Sequence, residues 1–274
     1  MSEVASSPLR DFVERHPRLL VLTGAGCSTG SGIPDYRDRE GQWKRAEPLR
    51  YQAFVGDALA RQRYWARSLI GWPRLKAAQP NGAHRALAEL ERRGGLSLLL
   101  TQNVDGLHQA AGSQRVLDLH GRIDAVRCLA CTHRQSRQQL QAELLALNPD
   151  WAALDAATAP DGDADLDGLD FSSFRVPPCP DCGALLKPYV VFFGENLPVA
   201  RVEAALRALA AADALLVLGS SLMVYSGYRY AQAAAEQGKP IAAVNLGLTR
   251  ADPLLSLKLE ADCADALSWL LPGG

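Results

Sequence analysis

The sequence predicts an α/β chain: a parallel sheet flanked by helices and interrupted once by a small, cysteine-bearing insert. Three observations carry this. Short apolar runs alternate with helical patterns along most of the chain, and the first run leads straight into a glycine-rich turn. Two Cys-x-x-Cys pairs bracket the one stretch where the alternation stops. Alternating strands and helices build parallel sheets, because a crossover helix returns the chain to start the next strand in the same direction.

The first strand is expected at residues 18–23, an apolar run ending at Thr23. Further strands are expected at 96–101, 116–119, 189–193, 214–219 and 241–245, with helical patterns over 51–70, 83–92, 200–211 and 225–237. Ligands of such sheets bind beyond the carboxyl ends of the strands, which is where most of the polar motifs fall.

The 274 residues fit a main domain with a smaller insert. Hydrophobic residues make up 48% and charged residues 22%, the balance of a soluble globular protein. A net charge of −1 offers no basic excess, which points away from nucleic acid. Residues 1–10 are polar and hold no apolar signal core, and the alanine-rich stretch 199–218 is broken by Arg201, Glu203, Arg207 and Asp213. A cytoplasmic protein without a membrane span is therefore expected. Oligomeric state is not set by these features.

Gly24, Gly26, Gly30 and Gly32 follow the first strand. Glycines there let backbone N–H groups approach a pyrophosphate, aided by a helix start. The spacing departs from the usual dinucleotide fingerprint, since Gly30 comes one residue late and no acid stands at the usual ribose-binding distance. The turn alone leaves nucleotide binding and a plain tight turn both open. It continues into Asp35, Tyr36, Arg37 and Asp38, an acid–aromatic–base series richer than a turn requires.

The strand ending at Thr101 runs into Gln102, Asn103, Val104 and Asp105. These amides and the carboxylate suit ribose hydroxyls or a carboxamide, or else strand-end turn chemistry. His120, before Gly121, ends another short strand and can accept a proton near neutral pH. His84, His108 and His133 are its rivals.

Cys128/Cys131 and Cys179/Cys182 can present four thiolates to one structural zinc ion. The loop between the pairs, residues 132–178, has 47 residues against about 15–20 in the common pattern, but closure entropy grows slowly with loop length. Two buried or redox-active pairs are the alternative. Four protein ligands leave no position for substrate, so the metal is expected to be structural, with His133 outside it. The insert is placed at about 125–185, between main-domain segments 1–124 and 186–274. Asp163, Asp165, Asp167 and Gly168 start like a calcium loop, but Phe174 stands where the loop needs glutamate, so a solvated acidic loop is expected.

Together these motifs resemble the sirtuin family. The matching stretches are Gly24 to Arg37, Thr101 to Asp105, His120-Gly121, both cysteine pairs, Val190 to Glu195, Gly219 to Ser221 and Val244 to Gly247, in family order and over nearly the whole chain. The class II branch, which includes the fourth human sirtuin, is the nearest in pattern. The segments Arg61 to Arg67, Gly71 to Pro73, Ala159 to Asp163 and Ser221 to Arg229, with the long insert, resemble that branch. Cys27 and Tyr36 depart from the residues often found there.

The resemblance implies a Rossmann-like parallel sheet with a small inserted zinc-binding domain, NAD as a consumed co-substrate and an acyl-lysine protein or peptide meeting it in the cleft. By position, Gly24, Ala25, Gly26, Ser28, Asp35, Tyr36 and Arg37 would line the NAD site. Gln102, Asn103, Val104 and Asp105 would hold nicotinamide and its ribose. Gly219, Ser220 and Ser221 would face the adenosine side, and Asn245, Leu246, Gly247 and Cys263 would lie near the adenine. The acyl group would pass to ADP-ribose as nicotinamide leaves, with His120 as general base and Asn103 also catalytic. Tyr64 and Arg67, at i and i+3 of the helix over 51–70, resemble the pair by which acidic-acyl sirtuins hold a substrate carboxylate; a surface pair on an amphipathic helix is the alternative. Mono-ADP-ribosyl transfer and a non-catalytic NAD or ADP-ribose module are the rival functions.

Overall fold

A computed structural model describes residues 7–44, 48–154, 166 and 168–272. Asp163, Asp165 and Asp167 of the acidic stretch, and the segment Ala159 to Asp163, lie outside the described residues.

In chain order the elements are α1 (Pro8–Arg15), β1 (Leu19–Thr23), α2 (Tyr51–Gly56), α3 (Ala58–Ala77), α4 (Gly82–Arg92), β2 (Leu96–Thr101), α5 (Leu107–Ala110) and β3 (Val116–Asp118). Then come β4 (Gly121–Cys128), β5 (Arg134–Ser136), α6 (Arg137–Leu147), α7 (Pro149–Ala152) and β6 (Leu186–Val190). The chain closes with α8 (Val199–Ala211), β7 (Ala214–Leu218), α9 (Tyr225–Glu236), β8 (Ile241–Val244), β9 (Leu257–Leu259) and α10 (Cys263–Ala266).

Among the described residues, six strands form one parallel sheet in the order β3-β2-β1-β7-β8-β9. Every residue of β1, β7 and β8 is buried, as continuous apolar runs covered on both faces require. One face packs Leu9 and Phe12 of α1, Leu87 and Leu90 of α4 and Leu267. The other packs Leu209 of α8 with Tyr230, Ala231 and Ala234 of α9. The strand order reverses between β1 and β7, so a crevice opens there beyond their carboxyl ends.

A second, antiparallel sheet runs β5-β4-β6. The strand expected at 189–193 in fact ends at Val190 and belongs to this sheet. It sits at an edge, which tolerates Pro188. The sheet shares a third core with α2, α3 and α6, through Phe54, Trp65, Leu69, Val126, Leu140 and Leu144.

The single helix expected over 51–70 is two. Asp57 is extended (φ −116°, ψ 118°), and its Oδ1 accepts from Leu59 N at 2.8 Å and Ala60 N at 3.3 Å, capping α3. α3 then runs on through Pro73. Proline at that position leaves the carbonyl four residues back, Leu69 O, without its helical donor. Gln141 Nε2 of α6 donates to it at 2.8 Å, so the helix continues and is tied to the insert. Among the described residues, no helix is long and apolar enough to cross a membrane.

Candidate active site

The crevice between β1 and β7 is walled by two loops in very close contact. Gly24 N donates to Leu218 O at 3.0 Å and Gly26 N to Gly219 O at 2.9 Å. Gly219 has φ +59°, and a Cβ there would lie 2.2 Å from Cys27 N; one on Gly24 would lie 2.7 Å from Ser220 Cβ. These glycines thus serve the approach of one loop to the other. After Gly24 the chain makes two three-residue 3₁₀ turns, Ala25–Cys27 and Thr29–Ser31, in place of the expected helix start.

The end of β2 is knitted to this loop. Asn103 Nδ2 donates to Gly24 O at 3.0 Å and to Ser28 Oγ at 3.1 Å, and Ser28 Oγ donates to Asp105 Oδ2 at 2.7 Å. Gln102 Oε1 accepts from Ser220 Oγ at 2.6 Å. One cavity opens over these groups. Its lining includes Gly24, Ala25, Gly26, Ser28, Asp35, Tyr36, Arg37, Gln102 to Asp105, Gly219 to Ser221, Asn245 and Leu246. Asp35 forms an ion pair with Lys44, and the Arg37 guanidinium lies 3.8 Å over the Trp43 ring while Arg37 Nη1 donates to Gly41 O at 2.6 Å. Gly247 and Cys263 do not line the cavity. Gly247 (φ +96°) packs against the Arg39 backbone, and the Cys263 thiol is buried in the core beneath β8, 3.9 Å from Val244 O.

His120 lies in the same cavity, between β3 of the large sheet and β4 of the small one. Its Nδ1 is 2.9 Å from Gln102 O. A carbonyl only accepts, so Nδ1 carries the proton of the neutral ring. Nε2 is then the bare nitrogen and accepts from Ser226 Oγ at 2.8 Å. Burial pushes the His120 pKa down to about 4, with Arg201 pushing the same way and the Gln102 carbonyl opposing. The ring is neutral near pH 7, the state a general base needs.

Beyond His120 the cavity extends between Val190 to Phe193 on one side and α3 on the other, where Tyr64 and Arg67 both line it. Tyr64 meets the Phe54 and Phe192 rings edge-on at 5.5 and 5.3 Å. The pair is therefore part of the cavity wall, not of a solvated helix face. Ser226 and the Val190 to Phe193 wall did not enter the sequence argument as site groups. Both lie inside matching motifs, which was the available signal.

Cys128, Cys131, Cys179 and Cys182 converge, with all sulfurs within 4.8 Å of one another and the pairs Cys128–Cys182 and Cys131–Cys179 at 3.5 and 3.7 Å. Tetrahedral zinc with thiolate bonds of about 2.3 Å holds its sulfurs about 3.8 Å apart, so the cluster is compatible with a structural zinc. His133 stays outside it: Nδ1 faces Asp181 Oδ2 at 3.0 Å and Nε2 faces Gln135 Oε1 at 2.9 Å.

The sequence profile of the Sir2 family matches residues 24–226, from the glycine loop to Ser226. This chain belongs to the Sir2 family. As a sirtuin it is 66% identical over 262 residues to an NAD-dependent protein deacetylase of Xanthomonas axonopodis pv. citri (strain 306), covering 96% of this chain and 89% of the relative. It is 60% identical over 268 residues to NAD-dependent protein deacetylase 2 of Bradyrhizobium diazoefficiens, covering 98% of each. The sirtuin fold superimposes on a Sir2–p53 peptide–NAD+ complex with TM-score 0.76 and 31% identity, over 96% of this chain and 95% of that one. The chain is thus an NAD-dependent sirtuin enzyme of the protein deacetylase kind.

Proposed function

We infer that this sirtuin removes acyl groups from lysine side chains of proteins, with NAD as the co-substrate that is split. The observation that carries the reading is the placement of His120: its bare Nε2 stands in the same cavity as the glycine loop and the Gln102 to Asp105 groups. NAD, when bound, supplies an electrophilic ribose carbon on loss of nicotinamide. The residues present fit it: a polar, glycine-walled crevice at the sheet reversal, with Asn103, Ser28 and Asp105 held by one another. Gly24, Ala25, Gly26, Ser28, Asp35, Tyr36 and Arg37 are assigned to its binding, with Gly219 to Ser221, Asn245 and Leu246 on the far side. Asn103 positions the ribose or water, and His120 Nε2 takes the proton of a ribose hydroxyl. The apolar wall Val190 to Phe193 keeps bulk water from the reacting carbon.

The zinc, held by Cys128, Cys131, Cys179 and Cys182, would staple the insert and take no part in the chemistry. The two separate sheets support a main domain with an inserted module, but the small sheet takes in all of β4 (Gly121–Cys128) and β6 (Leu186–Val190), so the module reaches beyond the expected 125–185 at both ends. A cytoplasmic location accords with the bacterial relatives.

A finer reading concerns the acyl group. Tyr64 and Arg67, both lining the cavity beyond His120, favour an acyl chain ending in a carboxylate, such as succinyl or glutaryl, and with it the class II affiliation. Mass spectrometry of NAD-dependent products from a panel of acyl-lysine peptides tests the whole reading. Free lysine peptide with O-acyl-ADP-ribose is expected. ADP-ribosylated protein without deacylated peptide would show mono-ADP-ribosyl transfer instead.

A further inference from the structure

One buried charge has no part in the chemistry above. Lys187 of β6 is fully buried, in the strand that leads into the Val190 to Phe193 wall. Its Nζ lies 3.0 Å from Glu195 Oε2 and donates to Pro188 O at 3.3 Å and to Val190 O. Three acceptors around one nitrogen match the three N–H groups of an ammonium, so the side chain is charged and every donor is used. The Phe192 ring centroid lies 4.5 Å from the same nitrogen, within cation–π range.

Glu195 completes the brace. Its Oε2, which meets Lys187, also accepts from Phe192 N at 2.9 Å, and its Oε1 accepts from Arg127 Nη2 at 3.1 Å. Arg127 and Lys187 stand opposite each other in the β4–β6 pairing, so without this carboxylate two like charges would face one another. One ion pair thus grips the wall at Val190 O, at Phe192 N and at the Phe192 ring. Val191 between them donates from its N to His120 O at 2.7 Å. A buried ion pair contributes little net stability beside an apolar pair of the same size, so its presence here is better explained by what it holds in place.

We propose that Lys187, acting through Glu195, is a positioning residue for the acyl-lysine substrate. Neither side chain lines the cavity, so neither touches the reacting atoms. Together they fix how far the Val190 to Phe193 wall stands from α3, and that spacing decides how well an acyl-lysine side chain is held. The proposal rests on the reading of this end of the cavity as the acyl-lysine site. Without the ammonium, Val190 O and the Phe192 ring lose their common anchor and the wall can shift. The glycine loop and the Gln102 to Asp105 groups make no contact with the pair, so NAD binding is spared.

The test is steady-state kinetics of the zinc-loaded enzyme on an acetyl-lysine peptide, with the Kd for NAD measured by calorimetry. Lys187→Met keeps the length of the side chain and removes its charge. It should raise the KM for peptide about 10–100-fold, the scale on which a remote misplacement of about 1 Å acts, and leave the Kd for NAD within about 2-fold. A substitution that only destabilised the fold would lower the active fraction, and so the apparent kcat, without moving KM. Glu195→Gln is the milder variant, since its amide oxygen still accepts from Phe192 N, and it carries the test if Lys187→Met does not fold. It should raise the peptide KM in the same direction. The double variant should match the worse single one, because the two residues act as a unit. A peptide KM unmoved in the folded variants while wild type deacylates normally, or two KM effects that multiply in the double variant, would overturn this proposal alone. A wild-type enzyme that deacylates no acyl-lysine peptide would overturn the deacylase reading and this proposal with it.

Discussion

His120 Nε2 accepts a hydrogen bond of 2.8 Å from Ser226 Oγ, at the first turn of α9. The imidazole is therefore held from both sides, by Gln102 O at Nδ1 and by a hydroxyl at Nε2. Any substrate hydroxyl that gives its proton to His120 must take the place of Ser226.

The first prediction follows from that arrangement. His120→Ala should lower deacylation by about 10²–10⁴-fold, the usual range for a lost general base, while NAD still binds. Ser226→Ala removes one neutral hydrogen bond of about 0.5–1.5 kcal/mol, so kcat should change by only about 2–10-fold with the KM for NAD unmoved. Steady-state kinetics with isothermal titration of NAD check both; wild-type turnover in His120→Ala would remove the histidine from its role.

The second concerns pH. Burial holds His120 at about 4, below its ordinary 6.5. The folded-state pKa is lowered, so the neutral base persists as pH falls through 6.5 and is lost only as pH approaches 4. The acid limb of kcat/KM assigned to this group should accordingly lie well under pH 6. A limb centred near 6.5–7 that vanishes in a His120 variant would contradict the geometry.

Asn103→Ala breaks two contacts at once, to Gly24 O and to Ser28 Oγ. Because these tie β2 to the glycine loop, the variant should raise the KM for NAD and also lower kcat. An unchanged KM would mean that the loop holds its shape without them.

Elemental analysis should find about one zinc per chain, and Cys179→Ala should lower the melting temperature, since structural metal binding contributes folding free energy. The thiol is buried against the third core, so the loss should reach Val126 and Leu186. A folded, fully active, zinc-free preparation would be the contrary result.

Acyl choice rests on α3. Charge-assisted bonds of about 1.5–3 kcal/mol from Arg67 would give one to two powers of ten in preference for carboxylate-ended acyl groups. Arg67→Met should abolish that preference and leave deacetylation in place. Equal glutaryl-to-acetyl ratios in wild type and variant would make Tyr64 and Arg67 plain wall residues.

The parallel sheet was legible in the sequence, because strands buried on both faces are continuous apolar runs between helical patterns, as at Leu19–Thr23 and Ala214–Leu218. The cysteine pairs and the glycine loop were legible because their chemistry is carried by residue type and spacing. The strands Gly121–Cys128 and Arg134–Ser136 were not, since a short, partly exposed sheet needs no such run. The break at Asp57 was hidden because an N-cap is visible only once the chain has turned. Only the tertiary structure decided that Gly24, Gly26 and Gly219 serve one loop-to-loop contact, that Cys263 faces the core, and that Tyr64 and Arg67 line a cavity. It alone set Ser226 against His120, 106 residues away along the chain. Residue types and local periods are properties of the sequence; which side chains share a wall is set by how separate elements pack, and that is a property of the fold.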